Sequence, residues 1–139
     1  MVPKMNNPLP PDYYLDNYDS KRRFCSYWHQ IQEIILLNPT NVLEIGIGNT
    51  FVSRYLKARH VNLISLDVNR GLKPDVVASI LELPFADQSF EVVACFEVLE
   101  HLPYGDFPKA FEYAERVLLI DSGNFRAKGI IGALTQKTP

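Results

Sequence analysis

An α/β fold with a mostly parallel sheet is what this sequence predicts, and three observations carry the prediction. Short apolar runs at Val42–Ile45, 62–66 and 90–95 alternate with segments whose apolar residues recur at spacings of three and four. The first run ends in a glycine turn, Gly46-Ile47-Gly48, that leads straight into a helical pattern, and the second ends on an acid, Asp67. Strands interleaved with helices build parallel sheets, because a parallel neighbour needs a crossover long enough to hold a helix.

Four prolines precede Asp12, so the chain opens on a flexible lead, and Tyr13, Tyr14 and Tyr18 sit among acids and amides in a loop or cap. From Ser20, a plausible N-cap, the residues Phe24, Tyr27, Trp28, Ile31, Ile34 and Ile35 trace one face of a helix that stops at Asn38-Pro39. Its basic run Lys21-Arg22-Arg23 lies at the end the helix dipole disfavours and reads as a solvated face. A first strand, the glycine turn and a helix over Phe51–Ala58 follow, the last with Val52, Tyr55 and Leu56 inward. Strands are expected at 62–66, at 75–78 and, after a loop, at 90–95. A final helix over 106–118 carries Phe107, Ala110, Phe111 and Ala114 on one face, with Asp106 available as its N-cap. Beyond Leu119 the pattern dissolves, with three glycines and no clean period, although a weak strand is conceivable at 129–134.

Gly46 and Gly48 let the backbone turn tightly and approach a ligand, and the helix that follows presents free N–H groups. Asp67 lies about twenty residues on, at a strand tip, where a carboxylate can accept hydrogen bonds from both ribose hydroxyls of an adenosine group. The pair points to a nucleoside cofactor. A dinucleotide-binding oxidoreductase uses the same geometry, although it calls for a third glycine near Thr50 and a partner domain. A bare tight turn is the other reading of the glycines.

Further motifs narrow the choice. Val42-Leu43-Glu44-Ile45-Gly46-Ile47-Gly48, Leu66-Asp67-Val68, Leu83-Pro84-Phe85 with Asp87-Gln88-Ser89-Phe90, and Phe96-Glu97-Val98-Leu99-Glu100-His101-Leu102 follow one another in order. In these the chain, over 20–117, resembles the class I S-adenosylmethionine-dependent methyltransferases of the small-molecule type, whose members modify quinones, sterols and other metabolites. The resemblance implies a Rossmann-like three-layer sandwich that binds S-adenosyl-L-methionine. It implies that Glu44 and the backbone of Gly46 to Gly48 line the methionine end, that Asp67 holds the ribose and that Val68 packs on the adenine. Ser79 and Ile80 fall where the family meets the adenine amino edge, and Phe96 and Glu97 fall near the cofactor after the fourth strand. Phe96 reads equally as core packing. The reaction implied is direct displacement at the sulfonium methyl, with His101 as the candidate general base and alignment and exclusion of water as the main contributions.

Two positions depart from the family pattern. Thr50 replaces a frequent third glycine, which is tolerable where the helix has already begun, and Ser79 replaces a frequent acid, at the cost of one hydrogen bond to the adenine. In the family a fifth strand and a reversed hairpin follow the last helix and wall the substrate, whereas here the resemblance stops after Val117. The sequence therefore predicts C-terminal strands that are missing or degenerate, with 130–135 as a substitute fifth strand. It also predicts an exposed sheet edge through which copies can pair. The divisions expected are a lead or cap over 1–19, a cofactor-binding core over 20–119 and a divergent tail over 120–139.

Composition bounds the partners. At 139 residues the chain is one domain's worth, with 47% apolar residues and a net charge of −2, so neither nucleic acid nor a membrane surface is expected. No Asn/Asp-Pro-Pro-aromatic tetrapeptide follows the fourth strand, and no Pro-Cys pair either, which leaves a small-molecule methyl acceptor. No signal-like run opens the sequence, so a cytoplasmic protein is expected, and Cys25 and Cys95 read as small apolar packing residues without a metal. The main rival is a non-catalytic adenosine-binding module.

Overall fold

The computed structural model of the chain describes residues 13, 18–96 and 98–118. Helix α1 (Lys21–Leu37) starts where Ser20 accepts a hydrogen bond from the Arg23 N–H and ends at Asn38 in the left-handed conformation. Both ends match the sequence signals, because a short hydroxyl side chain satisfies a free N–H and asparagine tolerates a positive φ. Strand β1 (Val42–Ile45), helix α2 (Phe51–Ala58) and strand β2 (Leu63–Asp67) follow. Strand β3 is only Val76–Val77, β4 is Val92–Cys95, and α3 spans Phe107–Val117 after two short 3-10 turns.

The strands lie in the order β3-β2-β1-β4, all parallel. Alternation along them divides the apolar residues between two layers. Val42, Val92 and Ala94 pack with Tyr27, Ile31 and Ile34 of α1 and Val52 and Leu56 of α2. Leu43, Ile45, Val93 and Cys95 pack on the other side with Ala110, Ala114 and Val117 of α3. The three-layer α/β sandwich expected from the sequence is thus present. Beside β4, Phe90 forms a parallel bridge to Leu118, and the expected strands at 129–134 and 130–135 lie outside the described residues.

Several expectations are corrected. Phe24 and Trp28 are 45% and 58% exposed, so the inward stripe of α1 is narrower than its apolar spacing, with Phe24 instead meeting Tyr27 and Phe51 edge to face. Tyr55 is likewise exposed, and the inward position it was expected to fill is taken by Ser53. Arg23 is not simply solvated, because it donates to the Tyr18 hydroxyl and lies over the Tyr18 ring. Asp106 makes no capping hydrogen bond, since the 3-10 turn before α3 puts it in helical conformation, whereas a capping side chain needs an extended one. Cys95 is buried as expected, whereas Cys25 is exposed. No described helix is long and apolar enough to cross a membrane.

Candidate functional site

Parallel pairing brings the candidate residues to one edge. Ile45 pairs with both Leu66 and Cys95, so Gly46, Asp67 and Phe96 leave the sheet at the same level. The chain runs from β1 to β2 and β3 in one direction, and β4 lies on the other side, which makes the gap between β1 and β4 the point where strand order reverses. Loops diverge at such a point and leave a crevice at the carboxyl ends of the strands.

The turn after β1 is shaped by its glycines. Gly46 has φ +80°, and a Cβ there would run into the Cγ2 methyl of Val98, from the segment after β4. Gly46 donates to the Leu66 carbonyl at 2.8 Å, and Ile47 donates to Asp67 Oδ2 at 3.0 Å. Gly48 has φ 50° and Thr50 has φ 67°. Thr50 therefore does not meet the condition that would make a missing glycine tolerable, a helix already begun there. It is the N-cap residue, in the left-handed region, and its side chain makes no capping bond. A third glycine would suit this backbone better, because a β-branched side chain crowds it.

Asp67 is half-buried and holds two loops at once. Its Oδ2 accepts the Ile47 N–H, and its Oδ1 accepts the Asn69 N–H at 2.8 Å. A carboxylate offers about four acceptor positions, so two remain for ligand hydroxyls. Val68 beside it is 54% exposed, an apolar surface that a flat ring can cover.

Glu44 faces the α2 layer because it follows Val42 by two positions along β1. It is buried, and its Oε2 has no hydrogen-bond partner among the described residues. Burial pushes its carboxyl up to about 8, with Asp67 and Asp75 adding to the rise, while the Ser53 hydroxyl and the Lys57 ammonium oppose it. Asp75 behaves in the opposite way. Burial works against its ionised form, but bonds from Lys57 and from the N–H and hydroxyl of Ser65 outweigh that and hold it below the usual carboxylate range.

The remaining candidates are less concentrated. Ser79, after β3, uses its hydroxyl oxygen to accept the Leu81 N–H, and Ile80 is buried in the α3-side core. Phe96 is half-buried and packs toward α1 and α2. Glu97 lies outside the described residues. His101 is exposed in the 3-10 turn Leu99–His101. The structure thus gathers Glu44, Gly46, Gly48, Asp67, Val68 and Phe96 at the carboxyl edge, with His101 in the segment that follows β4. Sequence reasoning missed Ser53, whose spacing of three from Leu56 was a readable sign of an inward position. It also missed Asp75, for which no sequence signal exists.

A family model described as a methyltransferase domain matches residues 43–122, from β1 to just past the described residues. The chain belongs to the S-adenosylmethionine-dependent methyltransferases. An uncharacterized protein of Methanocaldococcus jannaschii is 33% identical over a stretch that takes in 63% of this chain and 43% of that relative. A Methanococcus maripaludis structure, provisionally assigned as an S-adenosyl-L-methionine-dependent methyltransferase, superposes with TM-score 0.59 at 16% identity, over 97% of this chain and 76% of that one. The 1,6-didemethyltoxoflavin-N1-methyltransferase of Burkholderia thailandensis, solved with 1,6-didemethyltoxoflavin and S-adenosylhomocysteine, gives 0.52 at 16% identity, over 82% and 62% of the two chains. These structures share the methyltransferase fold with this chain. The chain spans less than half of the curated relative and 62% of the toxoflavin enzyme.

Proposed function

We propose that this chain binds S-adenosyl-L-methionine at the carboxyl edge of β1, β2 and β4 and transfers its methyl group to a small-molecule acceptor. The observation that carries the reading is Asp67, whose carboxylate grips the Ile47 N–H of the glycine turn and keeps acceptor positions for a ribose. The residues present fit the cofactor. Gly46 lets the turn close against Val98 beside the crevice, the orphaned Glu44 Oε2 offers an acceptor to a cationic amino group, and Val68 offers an apolar face to an adenine. Ser79 and Ile80 are assigned to the adenine side, and Phe96 and Glu97 to the wall after β4.

Bound there, the cofactor supplies an electrophilic sulfonium methyl. The backbone of Gly46 to Gly48 and the Asp67 carboxylate fix its orientation, and Phe96 helps to exclude water. His101 is assigned as the base that takes a proton from the acceptor, since an imidazole in the segment after β4 is a side chain of the type that does such work. The near-balanced charge favours a small metabolite over nucleic acid. We take 20–119 as the cofactor-binding unit, the cytoplasm as its compartment and the outer side of β4 as the edge through which copies can associate.

The test is calorimetric titration with S-adenosylhomocysteine beside NAD, with Asp67→Ala as control. Micromolar binding of the homocysteine ligand, weakened at least about tenfold in the variant, with no response to NAD, is the expected result. Binding of NAD instead would reassign the site to an oxidoreductase. Transfer of label from methyl-labelled cofactor into a metabolite extract then separates an enzyme from a binding module.

A further inference from the structure

The segment before α1 reaches the glycine turn through one side chain. Asn49, between Gly48 and Thr50, donates from Nδ2 to Asp19 Oδ1 at 2.7 Å, and the Tyr27 hydroxyl donates to the same oxygen at 3.2 Å. On its other side, Asn49 Oδ1 accepts the Phe51 N–H at 3.1 Å, at the first residue of α2. The Thr50 side chain, at the N-cap position, makes no such bond. The free end of α2 is therefore capped by Asn49, one residue earlier than usual.

An amide side chain can present either its oxygen or its NH2 group to a given neighbour. A carboxylate only accepts, so Asp19 compels Asn49 to turn its NH2 group outward and leaves the amide oxygen for the Phe51 N–H. The turn needs such a restraint, because three of its residues, Gly46, Gly48 and Thr50, have positive φ and Thr50 is not a glycine. We propose that Asp19 is a positioning residue of the cofactor site: by fixing the Asn49 amide it holds the glycine turn in the form that receives the methionine end of the cofactor. This rests on the cofactor reading above. Tyr27 braces the same oxygen from α1, which links the first helix to the turn as well.

Two measurements on the whole chain test it, the exchange rate of the Phe51 amide without ligand and the affinity for S-adenosylhomocysteine. Asp19→Ala is expected to speed Phe51 exchange and to weaken binding about tenfold, the scale of a lost hydrogen bond to a charged group. Asp19→Asn keeps an oxygen that can accept from Asn49 and Tyr27, so it is expected to stay within about threefold of the parent in both. An Asp19→Ala chain that matches the parent in Phe51 exchange overturns the proposal. So does an Asp19→Asn chain as impaired as Asp19→Ala, since charge alone would then be responsible. Should Asp19→Ala fail to fold, Asn49→Ala cuts the bridge from its other side and carries the same expectations. If the parent itself does not bind the ligand, the cofactor reading fails, while Phe51 exchange still decides whether Asp19 holds the turn.

Discussion

Glu44 is held in a place where its charged form is disfavoured, and the sign of the consequence can be worked out. In the unfolded chain its carboxyl ionises near 4.5, whereas in the fold burial keeps it protonated up to about 8. Its contribution to stability is therefore complete below pH 4.5 and is lost as pH rises through that window to about 8. The loss is on the order of 5 kcal/mol. Glu44→Gln, which cannot ionise, is expected to flatten it. Denaturant midpoints of parent and variant at pH 5 and pH 8 check this, and the difference between the two chains removes opposing groups such as Asp75. Thr50 offers a second test at the same scale. Thr50→Gly removes a crowded Cβ at φ 67° and breaks no side-chain capping bond, so a gain of about 1 kcal/mol is expected in thermal or denaturant unfolding.

Between elements, the decisive contact is that of the β1 turn with the segment after β4. Gly46→Ala places a methyl group against Val98 and forces a side chain onto φ +80°, so both packing and backbone suffer. A loss of about 2 kcal/mol or more is expected, with S-adenosylhomocysteine binding abolished, as calorimetry would show. Adding Val98→Ala is expected to restore part of the stability, since it removes the clash but not the strain. The glycine itself was legible, because a glycine pair after a buried apolar run is a local pattern. The caps of α1 were legible for the same reason, with Ser20 and Asn38 adjacent to the helix they close. The partner of Gly46 was not, nor was the grip of Asp67 on Ile47 or of Asp19 on Asn49. Such bonds join loops far apart in sequence, and no periodicity records them. The left-handed conformation of Thr50 was not legible either, because a single left-handed residue leaves no compositional trace.

At the scale of the whole molecule, the two core layers share one sheet, and this decides how the protein opens. Ile34 of α1 is fully buried among Val42, Val92 and Ala94, while Cys95 is buried on the opposite face with Val93 and Leu43. Neighbouring residues of β1 and β4 thus serve different layers, so neither layer can melt without releasing strands the other needs. Cys95 reports the α3 side directly, because burial excludes reagents and pushes its thiol up to about 12, leaving it inert until the chain opens. In a Cys25→Ser background, which removes the exposed thiol, Ile34→Ala is expected to cost about 2–5 kcal/mol. If opening is cooperative, Cys95 labelling under native conditions then accelerates by at least about 30-fold, since each 1.4 kcal/mol is about tenfold in the open population. Labelling that stays at the parent rate while the α1 side loosens would show that the layers open separately. The cofactor edge, built from loops of both, would then be held by the sheet alone.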